Sequence, residues 1–113
     1  METLETILRE NANYEMKMAK NCFNVFVKEI SRRRHKRTVI DVDVNGGVSV
    51  SGDGNPISLN NEETNAFLIF SDHWRNSVDS FNEIGDHSSA EEVNRMYCNR
   101  TIIDKLIGYE GIY

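Results

Sequence analysis

Apolar residues recur every three or four positions along the first third of the chain. This spacing predicts one long amphipathic helix over residues 3–33. Thr3 is suited to cap its N-terminus. Asn11 and Asn13 are weak helix formers, so a break near Asn13 stays open as the alternative. The predicted inward face consists of Leu4, Leu8, Ala12, Met16, Ala19, Phe23, Phe26 and Ile30.

Alternation of apolar and polar residues, from Ile40 to Val44 and from Val48 to Ser51, replaces the helical spacing and predicts a β-hairpin over residues 37–51. Side-chain parity selects its loop. If Val44 pairs with Val48, all the apolar residues of both strands share one face, whereas a two-residue loop would mix valine with serine. We therefore expect a type I turn followed by a bulge, with Gly47 in the left-handed region.

Two further helices are predicted over residues 61–84 and 90–107, each preceded by a capping-box sequence and followed by a glycine. Ile57 and Leu59, just before them, indicate a short third strand. The capping positions are Asn60 with Glu63, Ser89 with Glu92, and the glycines Gly85 and Gly108.

The order of these elements predicts one α+β domain spanning residues 1–113. It comprises a long N-terminal helix, a two- or three-stranded antiparallel β-hairpin sheet and two C-terminal helices, that is α-β-β-(β)-α-α. An unbroken first helix would be about 45 Å long, against a diameter of about 34 Å for a compact chain of this length. An overhanging apolar stripe would need a cover, so we expect a homo-oligomer formed through the first helix, or else a partner helix.

The charges are unevenly distributed along the chain. The net charge is −5, with +4 in residues 1–37 and −9 in residues 38–113. This asymmetry suggests an anionic partner for the basic part or head-to-tail self-association. No segment has the length of a membrane span or a secretory signal. We therefore expect a cytoplasmic protein without membrane contact, in which Cys22 and Cys98 are reduced and inert.

The basic residues concentrate between the first helix and the hairpin. Three interpretations remain open for this stretch: a solvated helix end, a contact with a protein, and a contact with nucleic acid. Arginine binds phosphate or carboxylate in a planar, bidentate way, which favours a contact surface. The acidic remainder of the chain and the absence of aromatic residues within the stretch argue against nucleic acid. The candidate binding residues are Arg32, Arg33, Arg34, His35, Lys36 and Arg37.

Carboxylates in and after the hairpin form the second candidate. Asp41, Asp43, Asn45 and Gly46 match the first half of an EF-hand loop, but Gly52 stands where the bidentate glutamate belongs and the flanks are strands. An ordinary hairpin with an acidic outer face is therefore expected, and no metal or cofactor is predicted. The residues of this acidic face, which could imitate nucleic-acid phosphate, are Asp41, Asp43, Asp53, Glu62 and Glu63.

No catalytic motif is complete. His35, His73 and His87 lack metal-ligand spacing, and no nucleophile elbow or phosphate-binding loop frames the serines and cysteines. Trp74 lies on an aromatic helix face and is the one aromatic residue suited to an interface rim.

The sequence thus predicts a non-catalytic interaction protein whose partner is a protein, of the inhibitor or adaptor type encoded by phages and mobile elements. An anti-defence inhibitor is one form of this hypothesis. A nucleic-acid-binding regulator that uses residues 32–37 is the alternative.

Overall fold

A computed structural model of the chain describes residues 3–32, 37–98 and 100–104, the last segment as backbone only. The α+β class and the predicted order of a helix, a three-stranded antiparallel sheet and two helices are confirmed. A further strand, which the sequence did not predict, follows them. The elements are α1 (Leu4–Ser31), β1 (Arg37–Val42), β2 (Val48–Gly52), β3 (Asn55–Ile57), α2 (Asn61–Glu83), α3 (His87–Tyr97) and β4 (Arg100–Asp104).

The first helix is continuous through Asn13. Thr3 caps α1 as predicted, its side chain accepting a hydrogen bond from the amide of Thr6. The 23-residue α2 runs antiparallel beside the 28-residue α1. It covers the inward face of α1, which is buried from Ala12 to Ile30. Leu4 remains 71% exposed. The molecule measures 52 × 24 × 21 Å, and on the inward face of α1 only the first turns lack a cover.

Six aromatic rings form the centre of the core. Phe70 lies in the middle, with its ring centroid 4.9 Å from that of Phe23 and 4.8 Å from that of Tyr97. Ile40 and Val50, on the inner face of the sheet, belong to the same buried cluster, so the helices cover one face of the sheet. The rings are those of Phe23, Phe26, Phe67, Phe70, Trp74 and Tyr97.

The predicted register of the hairpin is wrong. Val42 pairs with Val48 and Ile40 with Val50, whereas the sequence predicted that Val44 pairs with Val48. The observed and predicted registers have the same parity, so Ile40, Val42, Val48 and Val50 still share the inner face. Val44 instead lies in the loop and is exposed.

The hairpin turn starts one residue earlier than predicted, at Asp43. The amide of Gly46 donates to the carbonyl oxygen of Asp43 at 2.9 Å. The amide of Asp43 donates to the carbonyl oxygen of Gly47 at 2.8 Å. Gly46, not Gly47, has a positive φ, of 89°. The reason is the Asp43 side chain, whose Oδ1 accepts from the amide of Asn45 at 2.6 Å. Aspartate is favoured at the first position of type I turns for this reason.

The capping box at the start of α2 is confirmed. The amide of Glu63 donates to Asn60 Oδ1 at 2.8 Å, and the amide of Asn60 donates to Glu63 Oε1 at 2.9 Å. At the other end of the helix, Gly85 has φ +79° and its amide donates to the carbonyl oxygen of Asn82, as expected of a C-cap glycine.

The predicted bounds of the last helix are wrong at both ends. α3 begins at His87, because Asp86 rather than Ser89 caps it. It ends at Tyr97, and residues 100–104 pair antiparallel with β1, giving the strand order β3-β2-β1-β4. A β-branched run, Thr101 to Ile103, favours a strand, and it pairs with a β1 edge that would otherwise be open. Residues 105–107 of the predicted helix and Gly108 lie outside the described residues.

Asp86 links stability to pH. Hydrogen bonds from the Ser89 hydroxyl, from Arg9 and from the Ser89 amide lower the pKa of Asp86 below 3.8. A lowered pKa in the folded state stabilises the fold above pH 3.8, and this contribution is lost as the pH falls through the folded value. Asp86→Asn keeps an acceptor for the cap but carries no charge. Thermal unfolding should show a lower Tm for the variant at pH 6 and a gap that narrows towards pH 2. A gap independent of pH would contradict this linkage.

Candidate interaction surfaces

The structure describes the two ends of the predicted basic binding stretch. Arg32 follows α1, its guanidinium lies 3.0 Å from the carboxylate of Glu29, and its side chain is 74% exposed. Arg37 is also exposed and begins β1, where its amide donates to Asp53 Oδ1 at 3.1 Å. Each described end of the stretch is thus an exposed arginine with one carboxylate nearby, Glu29 for Arg32 and Asp53 for Arg37. The other four residues, Arg33, Arg34, His35 and Lys36, lie outside the described residues.

The predicted acidic face loses one of its members. Glu63 is only 1% exposed, because its side chain turns back to cap α2. The prediction of Glu63 as a surface carboxylate is therefore wrong, although its role in the capping box is confirmed.

The exposed carboxylates do not form one continuous face. Asp43 lies at the β1–β2 turn and Asp53 at the β2–β3 turn, beside Arg37. Six residues of extended strand separate these two ends of the hairpin, about 20 Å. Asp41 lies on β1 and Glu62 in the first turn of α2, and both are exposed. The predicted acidic residues therefore do not present one continuous surface that could imitate a run of phosphates.

The two described histidines contact different partners. His73 Nδ1 is hydrogen-bonded to the carboxylate of Glu15 on α1, whereas His87 Nδ1 lies 2.8 Å from Asn82 Oδ1. Within the described ranges, no three His, Cys, Asp or Glu side chains are grouped so that they could hold a metal ion.

Both cysteines are free thiols, and each is half-buried. Burial, with a smaller contribution from Glu15, raises the pKa of the Cys22 thiol. Burial likewise raises the pKa of Cys98, where Asp43 adds to the effect and Arg75 opposes it. A thiol with a raised pKa is protonated at neutral pH and is a weak nucleophile.

Trp74 is part of the core and not of an interface rim. Its ring stacks on Phe70, and its Nε1 donates to Asn94 Oδ1 at 3.0 Å. The guanidinium of Arg75 lies 5.4 Å from the ring centroid. The indole is thus buried with a satisfied donor, so it contributes no surface for a partner.

A second apolar row, which we call the outer stripe, runs along the solvent side of α1. It comprises Ile7, Tyr14, Met18 and Val25. Their spacing of seven, four and seven residues places them on one helix face. Ile7, Tyr14 and Val25 are 49%, 57% and 52% exposed. Single exposed apolar residues are ordinary, but an aligned row indicates an interaction surface. The same spacing is visible in the sequence, but the longer apolar row on the inward face was the one used to predict the helix.

A cleft of about 340 Å³ lies between the N-terminal half of α1 and α3. Arg9 and Glu92 bring opposite charges to an otherwise largely apolar lining. The apolar residues that line it are Met16, Phe81, Val93 and Met96.

No protein-family model matches the chain, and no curated protein or solved structure matches it either. In the part of the chain that the structure describes, no helix combines the length and apolar character needed to cross a lipid bilayer.

Proposed function

We propose that this protein is a small non-catalytic interaction protein that binds a macromolecular partner in the cytoplasm. Inhibitors and adaptors of phages and mobile elements are the class that we expect it to join. The observation that carries the proposal is the outer stripe of α1, which leaves three large apolar side chains about half exposed. Self-association through α1 is one form that this binding takes.

The outer stripe has the composition of a binding surface. Tyrosine and methionine are enriched at interfaces, and the core of an interface is poor in charge. Completing the burial of Ile7, Tyr14 or Val25 would contribute on the order of 1 kcal/mol each. The stripe is also straight and preformed, because it lies on a continuous helix, so binding needs little further ordering.

A pull-down with a matched control tests this proposal. The immobilised protein is offered native lysate, with and without nuclease treatment, and separately an untagged copy of itself. Tyr14→Lys places a charge in the stripe. Leu68→Lys is the control, because Leu68 on α2 is also about half exposed, at 54%. It lies five residues from His73, which contacts α1, so the two side chains lie on different sides of α2 and Leu68 faces away from α1. We expect the wild type and the control to retain a nuclease-resistant protein that Tyr14→Lys loses.

Two outcomes of this pull-down would contradict the proposal. One is the absence of any retained protein, whether from the lysate or as a second copy. The other is equal retention by all three chains, which would exclude the outer stripe as the binding surface.

A nucleic-acid-binding regulator is the second candidate. The observation in its favour is that Arg32 and Arg37, at the two ends of the basic stretch, are both exposed. Fluorescence anisotropy with generic duplex DNA and RNA at low and moderate salt tests it. Non-specific binding normally reaches a Kd of about 10⁻⁴ M or tighter. Weaker binding even at low salt would exclude this candidate.

If nucleic acid does bind, the triple variant Arg32→Ala, Arg33→Ala, Arg34→Ala locates the contact. We expect it to flatten the dependence of affinity on salt by roughly one unit of logarithmic slope for each phosphate contact that is lost. An unchanged slope would place the contact elsewhere on the protein.

A further inference from the structure

Six positions on the solvent side of α1 follow alternating steps of four and three residues. This is the spacing of the core positions of a coiled coil. Four are the residues of the outer stripe and two are asparagines, and in a single copy all six are exposed or half-buried. Asparagine at such a position fixes the register and orientation of two helices, because its amide needs a polar partner. The six residues are Ile7, Asn11, Tyr14, Met18, Asn21 and Val25.

One antiparallel register matches these positions with one another. It places Ile7 opposite Val25, Tyr14 opposite Met18, and Asn11 opposite Asn21 of a second copy, each pair occurring twice about a two-fold axis. A shift by one heptad in either direction is worse. It sets Asn11 against Tyr14 in one direction and Asn21 against Met18 in the other, and each leaves an amide facing an apolar or aromatic side chain.

The side chain of Asn11 has one polar partner within the same copy. Its Nδ2 donates to Ser80 Oγ on α2 at 3.3 Å. The amide nitrogen is thus engaged within the same copy, and the amide oxygen is the group that can accept from Asn21 of a second copy.

The charges of α1 distinguish the antiparallel from the parallel arrangement. Residues 3–15 hold three carboxylates and one arginine, a net charge of −2, while residues 17–32 hold four cations and one carboxylate, a net charge of +3. A parallel pair would also match like residues in the core, but it would set the two positive halves together. An antiparallel pair sets each negative half against a positive one and opposes the two helix dipoles.

We infer that the outer stripe binds the outer stripe of a second copy, so that two α1 helices form an antiparallel coiled coil centred near Met16. The inference rests on the proposed function, since it names the occupant of the same surface. From Ile7 to Val25 the contact extends about 27 Å.

Site-specific cross-linking in the full-length chain tests both the pairing and its direction. In a background with Cys22→Ser and Cys98→Ser, one chain carries Ile7→Cys and another carries Val25→Cys. Cysteines in facing layers are close enough for a disulfide. Under mild oxidation, we expect a covalent dimer when the two chains are mixed and none from either chain alone. A covalent dimer from Ile7→Cys alone would indicate parallel pairing, and no product from any mixture would exclude the pairing. Either result overturns the inference.

Sedimentation equilibrium of the unmodified chain provides a second readout. Tyr14→Lys should weaken the dimer roughly a hundredfold, because it brings two unpaired ammonium groups into the contact. Leu68→Lys should leave the Kd of the dimer unchanged, and circular dichroism verifies that both variants fold. A strict monomer at about 100 µM overturns the inference. If the wild type then still retains a lysate protein that Tyr14→Lys loses, the proposed function stands without self-association.

Discussion

Replacing Phe70 with alanine is expected to lower the free energy of unfolding by about 3–5 kcal/mol. Phe70 is fully buried and its ring contacts those of Phe23, Phe67, Trp74 and Tyr97. Its removal therefore takes away the transfer free energy of a buried ring and also leaves a cavity where α1, α2 and α3 meet. Urea unfolding followed by circular dichroism measures the loss. A domain of this size is typically stable by about 5–15 kcal/mol, so the variant is expected to fold with a much lower midpoint.

Leu68→Ala is the matched control, because Leu68 lies on the same helix with its side chain more than half exposed. Its cost should be below about 1 kcal/mol. A similar loss for both variants would contradict the position of Phe70 at the centre of the core. So would a loss below about 1 kcal/mol for Phe70→Ala.

Local chemistry made the long helices predictable. The i, i+3, i+4 spacing of α1 survives 28 residues, and its apolar row is the one that α2 buries. Asn60 and Glu63 bond each other as the capping box requires. In each case the determinants lie within a few residues of one another, so the sequence alone is sufficient to find them.

The errors have two causes, which are dependence on distant parts of the chain and competition between neighbouring local signals. The strand at residues 100–104 forms because the edge of β1 is available to it, although the local spacing also fits a helix. The start of α3 depended on two competing caps, and Asp86 binds both the amide and the hydroxyl of Ser89. A helix start with two adequate caps cannot be assigned from sequence spacing.

The candidate surfaces were predictable to a different degree. Arg32 and Arg37 are exposed, which fits each of the three interpretations of the basic stretch and does not distinguish between them. In the sequence Glu63 suits two roles, a cap of α2 and a surface carboxylate, and only its burial in the structure distinguishes between them. The spacing of the outer stripe is present in the sequence, but its exposure follows only from the structure, in which α2 covers the other apolar row of α1.

Replacing Gly46 with alanine should lower the free energy of unfolding more than replacing Gly47 does. The predicted register, with Gly47 in the left-handed region, implies the opposite. Gly46 has φ +89°, and left-handed backbone costs other residues about 1–2 kcal/mol. A Cβ atom there would also overlap Nη2 of Arg75. At Gly47 the added Cβ would lie 3.3 Å from Asp43 Oδ2, a contact that a small shift of that carboxylate relieves. We therefore expect a loss of about 1–2 kcal/mol for Gly46→Ala, and less than about 1 kcal/mol for Gly47→Ala.

The two contributions at Gly46 can be separated in an Arg75→Ala background, where the overlap is removed and the backbone strain remains. Measuring Gly46→Ala with and without Arg75 gives the coupling between them from urea midpoints. We expect most of the loss to persist without Arg75, because the guanidinium is the far end of a flexible side chain and can move. A larger loss of unfolding free energy for Gly47→Ala than for Gly46→Ala would contradict the observed register and favour the predicted pairing of Val44 with Val48. In that register Val44 would lie on the inner face of the sheet, as the alternation of apolar and polar residues predicts.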